Sequence, residues 1–462
     1  LSRLKFSVRI GRVTDRRPTG LFRHRDFRHL WTADLASQLG TRLSMIAMPL
    51  LAVITLDAST FATAALSAAE TAAALLFGLF VGALVDRMRC RPVLIAADLA
   101  RCVLLASVPV AAAFGVLGLP QLYVVAFAVG VGTVFFDTAH TTYLPRLIGR
   151  DQLVEGNSRL ASNTSIAAVA GSVGGGWLVQ LCTAPVAIAV DAATYLWSAL
   201  WLRGIRTREV RPEPRARPHL LREIGEGLRF VYGQPVLRAI AGNTAVVLFF
   251  QSANNAIMMV FLVRQVHLTP GIIGLLGTVG LLGALAASAL TGRIARRLGS
   301  ARALLASTVV NGVGFLLYPL TGPGLAVGWY VLAGGLAAFT IVTRHVLAVT
   351  ARQQLCPDRL LGRVSATMEL MTWGVMPLGA LAGGALGTLL GLRTTLVVCG
   401  VAILAASLFV VLSPIRRVRD LPADSPLPVS DDDPDHERDD QAQQPAGERH
   451  DSARVSRPER RT

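Results

Sequence analysis

Of the 462 residues, 52% are hydrophobic and only 16% charged, with a formal net charge of +16. A chain this apolar is not an ordinary soluble protein of several domains. Its cations sit between apolar runs and on the tails, where they orient spans rather than grip nucleic acid, so no nucleic-acid partner is expected.

Residues 1–28 are studded with arginine and lack an apolar stretch followed by a small-residue cleavage site, so this basic segment is expected to stay cytosolic and the first span to serve as insertion signal. Apolar runs of about twenty residues predict twelve membrane-spanning helices. They fall near 29–56, 60–85, 92–116, 119–143, 157–181, 184–203, 236–264, 270–296, 302–321, 324–349, 363–389 and 391–414. The intervening loops alternate in charge. Those at Leu56 to Thr60, Gly115 to Gln121, Leu181 to Pro185 and Thr321 to Gly324 hold no Lys or Arg, and the remaining loops of that set have only Arg264 and Arg393 at their edges. The alternate set carries Arg87, Arg89 and Arg91; Arg146 and Arg150; Arg203 to Arg229; Arg293 to Arg302; and Arg352 to Arg363. By the positive-inside rule the arginine-rich loops and both termini lie in the cytosol, and the use of arginine for every base but Lys5 points to a GC-rich bacterial genome and so to a bacterial cytoplasmic membrane.

The longest internal connection divides the spans six and six, giving bundles at 29–203 and 236–414 joined by a cytosolic linker at 204–235. The linker starts as a Pro- and charge-rich solvated stretch and ends in HLLREIGEGLRFVYG, whose apolar residues at helical spacing suit a helix lying on the membrane surface. Residues 415–462 hold too few apolar groups to offset chain entropy and are expected to be disordered. The halves echo one another at a constant offset. Arg87 and Arg91 match Arg293 and Arg297, Asp151-Gln-Leu matches Asp358-Arg-Leu, and Gly171, Gly175 and Gly176 match Gly379, Gly383 and Gly384, all 206 to 208 positions apart. Parallel six-span repeats imply an all-α polytopic membrane protein of two pseudo-symmetric six-helix bundles around a central cavity.

The scattered cysteines Cys90, Cys102, Cys182, Cys356 and Cys399 lack metal-ligand spacing, and no phosphate-binding G-x-x-x-x-G-K-[ST] loop or nucleophile constellation is present. Neither a cofactor, a metal nor an enzymatic activity is expected. Ionisable residues inside spans are costly in lipid and face a cavity or a partner. They are Asp34 and Arg42 on the first span, Glu70 on the second, Asp191, Arg344, His345 and Glu369. Glu70 is the preferred proton-coupling residue, with Asp34 and Arg42 beside it; a fixed Glu70–Arg42 salt bridge, or a carboxylate at headgroup level, is the alternative. On the seventh span Gln251, Asn254 and Asn255 fall at i, i+3 and i+4, beside Phe249 and Phe250, on a face that lines the cavity or serves as polar glue between helices. Glu369 completes the cavity candidates.

The densest charge lies in GALVDRMRCRPVLIAADLAR, from Gly82 to Arg101. Together with FFDTAHTTYLPRLIGRDQLVEGN, the surface-helix segment LLREIGEGLRFV and RQQLCPDRLLGRVSATM running into PLGALAGG, it resembles the enterobactin-exporter and macrolide-efflux branch of the major facilitator superfamily, from about Arg25 to Arg417. The chain departs from that pattern at Arg89 and Cys90, at Gly292 in place of an acid in the second-half copy, in span five, which lacks the usual Pro, and in span four, which lacks an intramembrane Arg. The resemblance implies a monomeric secondary transporter in the lipid bilayer that exports a small amphipathic metabolite or drug, such as a siderophore or macrolide, by alternating access coupled to protons. Uptake, lipid or lysophospholipid movement, and a non-transporting receptor or scaffold are the rivals. The resemblance also implies a cytosolic latch in which the loop bases meet an acid at the end of span four, here Asp137. Gly82, Asp86, Arg87, Arg91, Asp98, Arg101 and Asp137 are its expected members, and a static, topology-setting cluster is the alternative.

Overall fold

The computed structural model describes residues 21–85, 87–148, 152–207, 209 and 220–420, and these form an all-helical bundle. The first half contains α1 (Arg25–Leu50), α2 (Thr60–Val85), α3 (Cys90–Ala113), α4 (Leu119–Leu147), α5 (Leu153–Leu181) and α6 (Ala184–Arg203). A short helix, α7 (Leu220–Gly233), precedes the second half. That half comprises α8 (Pro235–Arg264), α9 (Pro270–Leu276), α10 (Val279–Leu298), α11 (Ser300–Leu317), α12 (Gly328–Leu355), α13 (Asp358–Leu390) and α14 (Leu392–Val411).

Eleven helical stretches among the described residues are long and apolar enough to cross a membrane. The stretch expected at 363–389 lies within α13, whose described apolar portion is the shorter Gly374–Leu390. Several spans depart from their expected form. The eighth breaks into α9 and α10 at Gly277 and Thr278, and α4 runs on to Leu147 while α5 starts at Leu153, closing the gap expected between 143 and 157. Pro49 interrupts α1 near its end, where the missing amide donor is followed by one π-helical turn, Leu51–Thr55. Large apolar side chains line the outer surface, among them Val103 at 70% exposure, Trp197 and Leu282. A soluble monomer rarely bares so much, whereas a bilayer solvates it.

In the first half α1 packs on α5 and α6, α3 on α4 and α6, and α2 on α4. In the second, α8 packs on α13 and α14, α10 on α12, and α11 on α12 and α14. The bundles meet where α2 crosses α13 and α8 and where α5 crosses α9. The repeated glycines explain these crossings, because a helix without a Cβ lets its neighbour's backbone come close. Gly171 and Gly175 face Leu39 and Leu43 of α1 inside the first bundle, and Gly379 and Gly383 face Phe249 and Ala253 of α8 inside the second. The last glycine of each set instead faces the opposite bundle: Gly176 lies against Gly274 of α9, and Gly384 against Phe61 and Ala64 of α2. The repeat seen in the sequence thus builds two equivalent pairs of contacts.

The core is distributed unevenly. On the arginine-poor half of the molecule one apolar cluster runs through both bundles, joining Leu51, Leu66 and Val179 to Ile257, Phe261, Ile273 and Leu396. Arg264 adds a clasp there, donating to Asp57 Oδ1 at 2.6 Å and to the Ala58 carbonyl at 2.9 Å. Towards the arginine-rich ends the cores separate, one around Phe27, Leu94, Tyr143 and Leu202, the other around Ile240, Leu304, Leu347 and Ile415.

Candidate functional site

Between the bundles lies a cavity of about 1040 Å3. Each helix contributes a stripe at helical spacing. From α1 come Arg42, Met45, Ile46 and Pro49; from α2, Ser67, Glu70, Thr71, Ala74 and Gly78; from α4, Gly130, Thr133, Val134, Asp137 and Thr138. The second bundle contributes Leu248, Gln251, Ser252, Asn255, Met259 and Leu262 from α8, with Tyr330, Ile341 and Met376 from α12 and α13. The repeat of three and four residues is what one face of a helix requires. Among the described residues the charges of the lining, Arg42, Glu70 and Asp137, stand on the first bundle, and the facing wall offers amides, thioethers, the hydroxyls of Ser252 and Tyr330, and hydrocarbon.

Glu70 is exposed to this cavity and makes no hydrogen bond or ion pair among the described residues. Arg42 shares the cavity, but its guanidinium reaches only the Met45 thioether, at 3.9 Å. The fixed Glu70–Arg42 salt bridge considered above is therefore not formed in this conformation. Asp34 is elsewhere. It is buried among α1, α4 and α5, accepts from Asn163 Nδ2 at 2.8 Å, and lies 3.4 Å from His140 Nε2. Gln251 and Asn255 line the cavity as expected from their spacing, with Ser252 between them donating to the Met376 carbonyl at 2.6 Å. Asn254 and Phe250 do not. One residue's rotation, about 100°, turns Asn254 into the protein, where it is buried, and packs Phe250 against the Val247 and Phe315 cluster. Glu369 lies on α13, and its side chain is outside the described residues, as is Asp86 altogether.

The expected latch members that are described, which leave out Asp86, lie in separate places. Arg91 donates to the carbonyls of Leu202 and Arg203 at 3.0 and 2.7 Å, and among the described residues the acid that bonds to this loop is Glu209 rather than Asp137. Glu209 accepts from the amides of Cys90 and Arg91 at 3.0 Å each, capping the first turn of α3, with Arg146 3.9 Å away. Asp137 lies in the cavity wall because α4 continues ten residues beyond it, about 15 Å at helical rise. Arg87 is exposed without a side-chain partner among the described residues, and a Cβ added at Gly82 would meet nothing within 4 Å.

Asp98 and Arg101 do pair, but as a buried ion pair in the core of the first bundle. Arg101 also donates to Ser37 Oγ at 3.2 Å and to Thr133 Oγ1 at 3.5 Å, and its guanidinium lies 4.6 and 4.2 Å from the ring centres of Phe136 and Tyr195. Nearby, Asp191 accepts from Ser44, and Tyr195 shares a 3.1 Å hydrogen bond with Thr41. Apart from Glu70 and Asp137, the cavity stripes of α2 and α4 carry no charge pattern that singles them out, although Ser67, Glu70, Thr71, Ala74 and Gly78 mark one small, polar face on an otherwise apolar helix. No group of three or more His, Cys, Asp or Glu side chains that could hold a metal is found among the described residues.

Comparison with known proteins fits this architecture. Residues 18–437 match the family described as transmembrane secretion effector, within the major facilitator superfamily. The chain is 28% identical over 400 residues to the multidrug efflux pump Tap of Mycolicibacterium fortuitum, covering 84% of this chain and 96% of that one. It is 26% identical over 249 residues to an uncharacterized MFS-type transporter, y4rN, of Sinorhizobium fredii, covering 53% and 59%. Among solved structures it resembles the nucleoside transporter NupG (TM-score 0.69, 11% identity, 85% of this chain and 99% of that one). It also resembles a bacterial homologue of the iron transporter ferroportin in its inward-facing state (TM-score 0.69, 15% identity, 85% and 99%). The chain belongs to the transmembrane secretion effector family of the major facilitator superfamily and is a membrane transporter of two helical bundles around a central cavity.

Proposed function

We propose that this transporter exports a small amphipathic metabolite or drug across the cytoplasmic membrane of a bacterium by alternating access, driven by proton entry. The observation that carries this reading is the cavity, with charged groups on one wall and apolar, amide-bearing groups on the other. Such a lining suits a molecule with one polar and one apolar side. The likeness to an efflux pump supports export over the uptake rival. The continuous core at the arginine-poor half and the separate cores at the other end agree with a conformation closed to the outside and open to the cytosol.

Glu70 is the proton-coupling residue in this reading. An unpartnered carboxylate on the cavity wall is free to exchange a proton in each state, and Arg42 is the base on the same wall. Asp137 is the second acid of the same wall. The test compares accumulation of amphipathic antibiotics and dyes in cells with and without the transporter, before and after an uncoupler. Uncoupler-sensitive extrusion is expected from the wild type. Glu70→Gln should abolish uphill extrusion while proteoliposomes still exchange substrate down its own gradient; undiminished proton-driven export by that variant would remove Glu70 from the role.

A further inference from the structure

A second site stands apart from the central cavity, at the arginine-rich end of α3 and α6. There the chain leaving α6 folds back over the first bundle as a strap. Asp26 accepts from the amides of Arg206 and Thr207 at 3.2 and 2.9 Å, and Glu209 caps α3 as described. Between strap and helix lies a groove of about 630 Å3 bearing Arg89, Arg91, Arg203 and Arg206.

The arginines divide by their bonding. Arg91 is spent on main-chain carbonyls, and both oxygens of Glu209 are taken by main-chain amides. Arg89, Arg203 and Arg206 are exposed, and none of their guanidinium groups has a partner among the described residues. With Glu209 the one acid described beside the four arginines of the lining, the groove keeps an excess of positive charge that a further anion would answer, and planar N–H forks match phosphate oxygens in particular. The groove also has an apolar continuation. Ile95, Ala96 and Leu99 of α3 line it, and the same face runs on to Val103, which is bare on the outer surface of the span. The basic end lies where a span emerges from the bilayer, and the apolar stripe lies beside acyl chains.

We infer that this groove binds the headgroup of an anionic phospholipid, with Arg89, Arg203 and Arg206 on its phosphate and the α3 stripe under an acyl chain. Charge complementarity selects the anion, and the apolar continuation selects a lipid over a free phosphate. A lipid seated there ties the strap, and with it the start of the inter-bundle linker, to the first bundle.

The experiment measures lipids retained by the purified full-length transporter, using native mass spectrometry after exchange into defined mixtures of phosphatidylglycerol and phosphatidylcholine. The wild type is expected to retain phosphatidylglycerol selectively. Arg89→Gln, Arg203→Gln and Arg206→Gln should each weaken retention about fivefold, since a base near the membrane surface contributes on the order of 1 kcal/mol. These side chains make no internal bond, so the triple variant should elute from gel filtration as the wild type does. The triple Arg→Lys variant should keep the preference, while Arg293→Gln with Arg297→Gln in the second bundle should leave it unchanged. Equal retention of phosphatidylglycerol by the triple Gln variant, or equal retention of phosphatidylcholine by the wild type, overturns the site. Displacement of the lipid by millimolar inorganic phosphate would overturn it as a lipid site and leave a free-phosphate site in its place.

Discussion

The two bundles repeat one backbone plan and fill it with different chemistry. Inside the first, Asp34, Asp98, Arg101, His140 and Asp191 form a set of buried or half-buried ionisable groups spread over α1, α3, α4 and α6 and bonded through Ser37, Ser44, Thr133 and Asn163. Inside the second, the described interior is held mainly by neutral bonds, with Arg344 the buried cation among the described residues. Asn243 Nδ2 donates to the Ala406 carbonyl at 2.9 Å, Asn311 Nδ2 to Thr340 Oγ1 at 2.8 Å, and Thr291 and Thr343 share a 3.0 Å bond. The cavity repeats the division, with its charges on the first wall. A duplicated fold has thus kept its glycine crossings, which geometry demands of both halves, and has let its charges gather in one.

The ion pair of the first bundle offers the strongest way to break this comparison. Removing one member of a buried pair strands the other charge in low dielectric, at a cost of about 3–5 kcal/mol. Asp98→Ala or Arg101→Ala is therefore expected to lower the unfolding midpoint in detergent sharply and to reduce the folded yield. The paired replacement Asp98→Leu with Arg101→Met should recover most of that loss, because it leaves no charge unanswered. Full stability of either single variant would mean that the charges are not held together in the folded protein.

This asymmetry was only partly legible in the sequence. The apolar runs and the arginine alternation located the spans, since hydrocarbon thickness and backbone satisfaction leave a chain few options. The glycine echo marks the crossings for a similarly strict reason, as contact between backbones admits no side chain. The site was harder to read. Asn254 and Asn255 are chemically identical neighbours, and 100° of helical rotation sends one into the core and the other to the cavity. The resemblance points to Asp137 as the acid at the end of span four, but α4 runs on to Leu147, and those further residues set Asp137 deeper, in the cavity wall. Glu209, the acid that does cap α3, sits beyond the last residue of α6 in a charge-rich linker, where no spacing rule marks one carboxylate above another.

A pair of asparagines gives a smaller and more pointed contrast. Asn163 donates to the Asp34 carboxylate, and Asn311 donates to a threonine hydroxyl. A hydrogen bond to a charged group is worth about 1.5–3 kcal/mol and a neutral one about 0.5–1.5 kcal/mol. Asn163→Ala is thus expected to destabilise more than Asn311→Ala when both are measured by thermal unfolding in one detergent. The order would reverse if the first bundle's polar set were solvated rather than sealed.

The smallest expected effect belongs to the one buried cation described in the second bundle. Arg344 of α12 is 7% exposed, donates to Thr244 Oγ1 at 3.0 Å, and leaves its Nε without an acceptor; it makes no ion pair among the described residues. A buried guanidinium answered by one hydroxyl contributes little, because desolvation offsets what the single bond returns. Arg344→Met, which keeps much of the volume, is expected to leave the unfolding midpoint within about 1 kcal/mol of the wild type or to raise it. A loss on the scale of the Asp98 or Arg101 variants would show that Arg344 answers a carboxylate in the folded protein. Glu369 of α13, which packs on the α8 helix that carries Thr244, would then be the first residue to substitute, and the second bundle would have an ionic core of its own.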